Sequence, residues 1–278
     1  MRTGLGKTTP RTGVVGEPQS PHALCMTNQQ ASKKVVVLTG GSRGIGRATA
    51  RELARRGCAV VLTYHQHPDG AVEGVRVIEA EGGRAHALPL DVTAVATFAA
   101  FRHELVAVLR KWGRETFDGL VNNGGYGLYK AIDAVTEEEF DGLAAVHLKG
   151  PFFLSQALLP LLERGGQVVN VSSATTRVAT AGVAPYASFK AALETLTRYM
   201  AKEWGARGIR ANSVAPGAIR TELGGGLTPD FEALLASQTA LARVGEADEV
   251  ARVIAALLGD DLGWVNGQCI EVTGGYCL

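Results

Sequence analysis

Residues 34–56 read KVVVLTGGSRGIGRATARELARR. The apolar, β-branched run that ends at Thr39 predicts a buried strand. Residues 47–56, which Gly57 terminates, predict a helix, and the turn between the two elements carries glycines at positions 40, 44 and 46. Glycines allow a close backbone approach, and a helix N-terminus offers free N–H groups and a positive dipole. The segment therefore predicts a cradle for the diphosphate of a dinucleotide.

Beyond this cradle, predicted strands and helices alternate along the chain. Further strands are predicted at residues 58–64, 85–90, 117–121, 168–171 and 209–214, and helices at 69–81, 94–111, 136–163 and 186–204. This rhythm is typical of a parallel sheet with helices on both faces. The fold class is predicted as α/β, with a single doubly wound (Rossmann) domain over residues 33–278 and a sheet of about seven strands.

The composition excludes several classes of protein. The chain has 278 residues, 46% of them hydrophobic and 20% charged, with a net charge of +1, which suits one globular domain. Neither a nucleic-acid partner nor a membrane surface is expected, because the charge is balanced and no apolar run approaches about 18 residues. The spacing of the four cysteines is typical of neither metal ligands nor a redox pair; they are Cys25, Cys58, Cys269 and Cys277. We therefore expect reduced thiols and no metal, and reduced thiols indicate a cytoplasmic location.

Residues 1–32 differ from the rest of the chain. They are rich in Gly, Pro, Thr, Ser and Gln, with little apolar surface to bury, which predicts a disordered leader. The segment has no secretory apolar core. Because Met26 lies just upstream of the first strand, a native start there is a hypothesis that N-terminal mass spectrometry of the natural protein would exclude by finding Met1 or Arg2.

Tyr186 and Lys190 are the leading candidates for chemistry. They lie four residues apart on a predicted helix, so both side chains share a face. A neighbouring cation stabilises a phenolate and lowers the pKa of the phenol, which makes tyrosine a proton donor and acceptor for hydroxyl and carbonyl groups. Ser173 closes the strand thirteen residues before Tyr186. A Tyr-x-x-x-Lys pair by itself is more often a buried tyrosine beside a lysine with an extended stem.

Taken together, these motifs closely resemble the short-chain dehydrogenase/reductase family from about Lys34 to the C-terminus. The matches are Thr39–Gly46, Asn122-Asn123-Gly124-Gly125, the Ser173/Tyr186/Lys190 set, Pro216–Thr221, Asn266-Gly267-Gln268 and Val272–Gly275, the last two as a closing strand. The resemblance, which is to β-ketoacyl-[acyl-carrier-protein] reductase-like members, implies hydride transfer between a nicotinamide and a carbonyl or secondary alcohol. Tyr186 then exchanges the proton, Ser173 binds the same oxygen, and Lys190 binds the nicotinamide ribose and depresses the tyrosine pKa.

The cofactor site is expected beyond the carboxyl ends of the strands. The residues that the cradle and the resemblance assign to it are Gly40, Ser42, Arg43, Gly44, Ile45, Gly46, Tyr64, Asp91, Val92, Asn123, Gly124, Gly125, Tyr186, Lys190, Pro216, Gly217, Ile219 and Thr221. The second strand ends at Tyr64-His65 without an acid to bind a ribose 2′-OH. Arg43 offers a guanidinium for a 2′-phosphate, although it also fits a solvated surface arginine. NADP(H) is therefore favoured, and NAD(H) stays possible.

The resemblance implies that residues 221–243 form a mobile substrate lid, and flexible glycines at 224–226 beside an apolar helix suit such a lid. The alternative is a surface loop and helix that pack on the body. Around the substrate, the expected pocket neighbours are Tyr126, Tyr129, Thr175, Ala179 and Val183, which indicate an uncharged site.

Two positions depart from the family pattern. His147 stands where the family has an asparagine, and Gly124 stands where it has an alanine. The resemblance implies that the asparagine acts through its backbone carbonyl, which holds a water in a proton path to the lysine. A histidine keeps that carbonyl, so a tolerated substitution is the favoured interpretation. The alternative is a new titrating group: since histidine titrates near neutrality, an acid limb in the pH–rate profile that vanishes in His147→Asn would indicate an active role.

Three functions stay open on sequence grounds. The favoured one is an NADP(H)-dependent, 3-oxoacyl reductase-like oxidoreductase acting on a small-molecule carbonyl or alcohol. The second is a sugar or polyol dehydrogenase, and the third is a catalytically weak cofactor-binding sensor or scaffold, suggested by His147 and Gly124. The resemblance also implies a homo-oligomer, a tetramer or a dimer.

Overall fold

The computed structural model describes Met1, Gly4 and residues 34–278. The expected leader, residues 1–32, lies outside the described residues except for Met1 and Gly4. Residues from Lys33 to the C-terminus form one compact unit.

In the described part of the chain, a seven-stranded parallel sheet forms the centre of this unit. Its strands are β1 (Val35–Leu38), β2 (Ala59–Tyr64), β3 (Arg84–Pro89), β4 (Phe117–Asn122), β5 (Leu162–Val171), β6 (Arg210–Pro216) and, last in the chain, β9 (Cys269–Val272). The order across the sheet is β3-β2-β1-β4-β5-β6-β9, and every neighbouring pair is parallel. The strand order therefore reverses between β1 and β4, which is where such folds bind their ligands.

Helices cover both faces of the sheet. They are α1 (Gly44–Arg55), α2 (Pro68–Ala80), α3 (Phe98–Lys111), α4 (Glu137–Ala144), α5 (Gly150–Leu158), α6 (Ala184–Trp204), α7 (Pro229–Ser237) and α8 (Ala247–Leu257). One apolar cluster packs α3, α5 and α6 against the sheet, and a second packs α1, α2 and α8 against the other face. Val35 and Val37 of β1 belong to the first cluster, whereas Val36 and Leu38 belong to the second, since side chains alternate along a strand.

The long helix predicted at 136–163 is confirmed as a helical stretch over residues 137–161, but it is not one regular α-helix and it ends before residue 163. A capping box at Thr136 and Glu139 starts α4 as expected, but residues Ala145–Lys149 form a π-helical turn before α5 begins. A short 3-10 turn at Leu159–Leu161 ends the helical stretch, and β5 starts at Leu162, earlier than predicted. Gly165 and Gly166 lie inside this strand, where the pairing with β4 shifts register between Phe117 and Gly119.

A small second sheet was not predicted. Strand β7 (Ile219–Arg220) pairs in parallel with β8 (Gly245–Glu246). These two strands flank residues 221–243, so their pairing holds together the two ends of the segment expected to be a lid, with α7 between them. Among the described residues, no helix combines the length and the apolar character that crossing a bilayer requires.

Candidate active site

A cleft of about 640 Å³ opens beyond the carboxyl ends of the strands, at the reversal of strand order. The structure brings together around it every candidate that the sequence supplied for catalysis or cofactor binding. The cleft is lined by Gly40, Ser42, Arg43, Gly44, Ile45, Gly46, Tyr64, Asp91, Val92, Asn123, Gly124, Gly125, Ser173, Tyr186, Lys190, Pro216, Gly217, Ile219 and Thr221.

The glycine turn at one end of the cleft fits a dinucleotide diphosphate. Gly40 has a positive φ of 67°, and a Cβ there would lie 2.7 Å from the Cα of Gly124. A Cβ on Gly46 would collide with the carbonyl oxygen of Gly40, so the backbone can close this tightly only with glycine. Helix α1 begins at Gly44 with no side-chain cap and no acid in its first turn. Its first N–H groups and its positive dipole therefore face the cleft free to bind an anion.

Asn123 holds this turn from the end of β4. Its amide nitrogen donates to the carbonyl oxygens of Thr39 and Gly40 at 3.0 and 3.1 Å. The hydroxyl of Thr39 in turn accepts from the backbone N–H groups of Asn123 and Gly124, both at 2.9 Å. A Cβ at position 124 would lie 3.4 Å from Thr39 Oγ1, an ordinary contact, so alanine also fits there. Gly124, where the family pattern has alanine, therefore keeps the hydrogen bonds that hold this turn.

Tyr186, Ser173 and Lys190 meet at the other end of the cleft, as their spacing predicts. Lys190 is 4% exposed, and its Nζ lies 5.6 Å from the centre of the Tyr186 ring. The ammonium donates to the carbonyl oxygen of Val171 at 2.7 Å, which fixes it at the end of β5. Burial lowers the pKa of Lys190 to about 8.

Lys190 was expected to lower the pKa of Tyr186, and the structure does not show that lowering. Burial raises the pKa of Tyr186 above its ordinary value, and the hydrogen bond with Ser173 lowers it by less than burial raises it. Loss of hydration therefore outweighs the favourable polar contacts of a phenolate here. At neutral pH Tyr186 is a neutral phenol that can donate a proton.

His147 lies in the π-helical turn against this group. The side chain is 1% exposed, and its ring meets the Tyr186 ring edge-on with centroids 4.9 Å apart. Its Nε2 lies 2.8 Å from the carbonyl oxygen of Tyr126. Burial first, and then the positive charge of Lys190, lowers the pKa of His147 to about 2. The imidazole is therefore neutral at working pH, and the hypothesis that it titrates near neutrality is wrong.

The adenosine end of the cleft is polar. Asp91 accepts hydrogen bonds from the N–H and the hydroxyl of Thr93, at 2.9 and 2.7 Å, so it caps the turn after β3. Arg43 projects from the glycine turn and forms an exposed ion pair of 3.4 Å with Glu222, across the mouth of the cleft. Sequence reasoning missed His65, Gln66 and His67, which line the same region because they directly follow β2. Their position after a strand at the switch point is the signal that identifies them.

The substrate side is lined mainly by uncharged side chains. Tyr126 and Thr175 line the cleft as predicted, together with Val146, Leu223 and Leu227. Three other expected neighbours, Tyr129, Ala179 and Val183, are not part of its lining. Tyr129 is 75% exposed and lies against the backbone of Gly182, at the rim.

The fold and this cleft define a dinucleotide-dependent oxidoreductase. Residues 40–277 match the family described as enoyl-(acyl carrier protein) reductase. An uncharacterized oxidoreductase of Methylorubrum extorquens is 39% identical over 245 residues, which cover 87% of this chain and 97% of the relative. Elsinochrome reductase 1 of Elsinoe fawcettii is 34% identical over 268 residues, covering 91% and 98% of the two chains.

A solved structure agrees with these relatives. The angucycline C-6 ketoreductase LanV with bound NADP superposes with a TM-score of 0.85 at 35% identity, covering 88% of this chain and 95% of that one. The chain belongs to the short-chain dehydrogenase/reductase family. It is an oxidoreductase that acts on carbonyl or alcohol groups.

Proposed function

We propose that this protein is an NADP(H)-dependent ketoreductase that reduces a ketone on an uncharged, largely aromatic substrate. The observation that carries the proposal is the neutral Tyr186 phenol, which lines the same cleft as Ser173, next to a substrate side of mainly uncharged side chains. Two proteins that are similar to this chain, an elsinochrome reductase and an angucycline ketoreductase, support an aromatic ketone as substrate.

Each of the three catalytic candidates has a distinct role in the proposed reaction. When bound, the cofactor supplies the hydride that adds to the carbonyl carbon. Tyr186 donates its phenolic proton to the carbonyl oxygen as negative charge develops there. Ser173 hydrogen-bonds the same oxygen, and its hydroxyl is held by Thr175 Oγ1 at 2.9 Å. The buried Lys190 ammonium, fixed by Val171, supplies the proton that restores the phenol.

The protonation states favour reduction over oxidation. A phenol whose pKa is raised is protonated at neutral pH, which is the state that proton donation to a ketone requires, whereas oxidation of an alcohol requires the phenolate. The sugar or polyol dehydrogenase reading requires a phenolate that accepts the alcohol proton, and the site of the free protein does not stabilise one. The sensor or scaffold reading was suggested by His147 and Gly124, and neither residue removes any member of the catalytic set.

A substrate panel tests the proposed function. NADPH oxidation is measured with a polycyclic aromatic ketone, with a 3-oxoacyl thioester as the family resemblance implies, and with polyols in the reverse direction with NADP+. We expect kcat/KM for the aromatic ketone to exceed the others at least about tenfold, the scale of one well-placed apolar contact. A thioester or a polyol as the best substrate contradicts the proposal. Cofactor binding by calorimetry without any turnover supports the sensor reading instead.

The proposed choice of NADP(H) rests on Arg43 and on the absence of an acid at Tyr64 and His65, where β2 ends. When the cofactor binds, we expect the Arg43 guanidinium to exchange its ion pair with Glu222 for one with the 2′-phosphate of NADP(H). A hydrogen bond to a charged group contributes about 1.5–3 kcal/mol, or roughly 10- to 150-fold in affinity. Arg43→Ala should raise KM for NADPH by that factor and change KM for NADH by less than about twofold.

The exposed Arg47, which lies outside the cleft lining, provides the matched control for this prediction. Arg47→Ala should leave both constants unchanged. An equal rise in KM for NADPH and for NADH in Arg43→Ala contradicts the assignment of Arg43 to the 2′-phosphate. A catalytic preference of the wild type for NADH of about tenfold or more also contradicts the choice of NADP(H).

Three further features of the protein are proposed: a substrate lid, an oligomeric state and a cellular location. Residues 221–243 act as the lid, supported by Leu223 and Leu227 in the cleft wall. The protein is a homo-oligomer, a dimer or a tetramer, supported by the exposed Phe152 and Phe153 on α5. It is cytoplasmic, supported by the free thiols of Cys58, Cys269 and Cys277.

A further inference from the structure

Glu194 is an acidic side chain on α6, the helix that carries Tyr186 and Lys190. The three residues follow one another at intervals of four, so their side chains share one face of the helix. Glu194 is partly buried and does not belong to the lining of the cleft. An effect of this carboxylate on the reaction must therefore pass through other residues.

The carboxylate of Glu194 joins α6 to the segment that follows β5. Its Oε1 accepts hydrogen bonds from the hydroxyls of Ser172, at 2.5 Å, and Thr176, at 2.9 Å. Hydroxyl groups bind a carboxylate more strongly than they bind a neutral acceptor. Because burial of a carboxylate is costly without such bonds, the two hydroxyls also keep Glu194 in this orientation. One oxygen atom of α6 thus holds two residues of the segment.

Ser173 lies between the two residues that Glu194 holds. Its backbone is extended, and its side chain caps the short turn Ala174–Thr176. The Thr176 hydroxyl lies 2.9 Å from both the Ser173 carbonyl oxygen and Glu194 Oε1, so its hydrogen is shared between them. The Ser173 hydroxyl accepts from Thr175 Oγ1 at 2.9 Å, which leaves its own hydrogen for a substrate oxygen. The bonds of Glu194 therefore act on the backbone position of Ser173.

The two groups assigned to the substrate oxygen come from different elements of the fold. Ser173 follows β5, whereas Tyr186 lies on α6. Lys190 joins these elements through the carbonyl of Val171, and Glu194 extends the attachment beyond Ser173. A misplacement of 1 Å between reacting groups can lower a rate by about 10²-fold. The attachment of the segment to α6 therefore bears directly on the rate.

We propose that Glu194 is a positioning residue for the reduction, because it fixes the Ser173 hydroxyl at the distance from Tyr186 that lets both bind one carbonyl oxygen. This inference rests on the proposed function. Glu194 carries no proton in the reaction and touches neither substrate nor cofactor. Since its contribution passes through Ser173, that contribution should disappear once the Ser173 hydroxyl is removed.

A double-mutant cycle measures this dependence. Ser173→Ala should lower kcat about 10²-fold, the scale of one donor to a developing oxyanion. Glu194→Met keeps the length of the side chain and removes both acceptor oxygens, so it should lower kcat about tenfold and leave the Kd for NADPH unchanged. The double variant should match Ser173→Ala within about twofold. Losses that multiply to about 10³-fold contradict the proposal, because they show that Glu194 acts independently of Ser173.

Glu194→Gln tests the same contact by rescue. Its amide keeps a carbonyl oxygen that can accept from both hydroxyls, so kcat should stay within about threefold of the wild-type value. A loss of kcat as large as that of Glu194→Met overturns the role assigned to this oxygen. Glu203→Met, at an exposed position of the same helix, is the matched control and should change nothing.

Hydrogen–deuterium exchange tests the attachment in the free enzyme, without substrate. The amides of residues 172–177 should exchange at least about threefold faster in Glu194→Met than in the wild type, because the segment opens more readily. Where Glu194→Met does not fold, Thr176→Val removes one of the two donors and should show the same increase. Unchanged exchange overturns the proposal even where ketone reduction is confirmed. A wild-type kcat in Ser173→Ala contradicts the proposed function and this role together, which distinguishes the two failures.

Discussion

Tyr186→Phe should lower kcat for ketone reduction by about 10³-fold, within the range that a positioned general acid contributes. The substitution removes one oxygen atom and keeps the aromatic ring. The edge-on contact of that ring with His147 at 4.9 Å should persist, and so should the cofactor cleft. We therefore expect the Kd for NADPH to stay within about threefold of the wild-type value, because the lost interaction acts in the transition state. NADPH oxidation and fluorescence titration measure the two quantities.

Tyr199 provides the control for that experiment. It lies on the same helix, α6, but is 62% exposed and outside the cleft lining. Tyr199→Phe should be indistinguishable from wild type. A Tyr186→Phe variant with the wild-type kcat for ketone reduction contradicts the proposed mechanism, whatever its Kd for NADPH.

Lys190→Met has the second largest expected effect, a loss of kcat of about 10²-fold or more. Methionine fills most of the volume of the buried stem but supplies no positive charge beside Tyr186 and no proton to restore its phenol. The donor to the Val171 carbonyl, now at 2.7 Å, is lost as well. Because the resemblance places Lys190 on the nicotinamide ribose, we also expect weaker binding of NADPH. Lys202→Met, at an exposed position of the same helix, is the control.

The pH dependence adds a separate readout for Lys190. Burial lowers its pKa from the ordinary value to about 8, so the ammonium is present below that pH and is lost above it. Reduction needs the ammonium as a proton source, and kcat/KM with NADPH as the varied substrate should therefore fall as the pH rises through about 8. That constant reports groups of the free enzyme. Persistence of the same basic limb in Lys190→Met contradicts the assignment.

Much of the fold follows from local sequence signals. The run from Val35 to Leu38, the glycines after it and the capping box at Thr136 each specify their element with little help from distant residues. The convergence of Asp91, Asn123, Ser173 and Pro216 on one cleft also follows from sequence, because all four lie at or just after the carboxyl ends of strands, and these ends share one edge of the sheet.

Other features depend on contacts that the local pattern does not contain. Residues 162–166 look like the end of a helix, yet pairing with β4 draws Leu162 into β5. The two-residue strands β7 and β8 exist only because distant segments meet. The pKa of Tyr186 is set mainly by how much water its surroundings exclude, so spacing from Lys190 gave the wrong direction. His147 is neutral for the same reason.

The most direct measurement is a crystal structure of the ternary complex with NADP+ and an aromatic ketone. The account predicts that the ketone oxygen lies within about 2.6–3.2 Å of both Tyr186 Oη and Ser173 Oγ, with the nicotinamide ring against the carbonyl carbon. A nicotinamide bound elsewhere, or a ketone oxygen out of reach of the phenol, contradicts it.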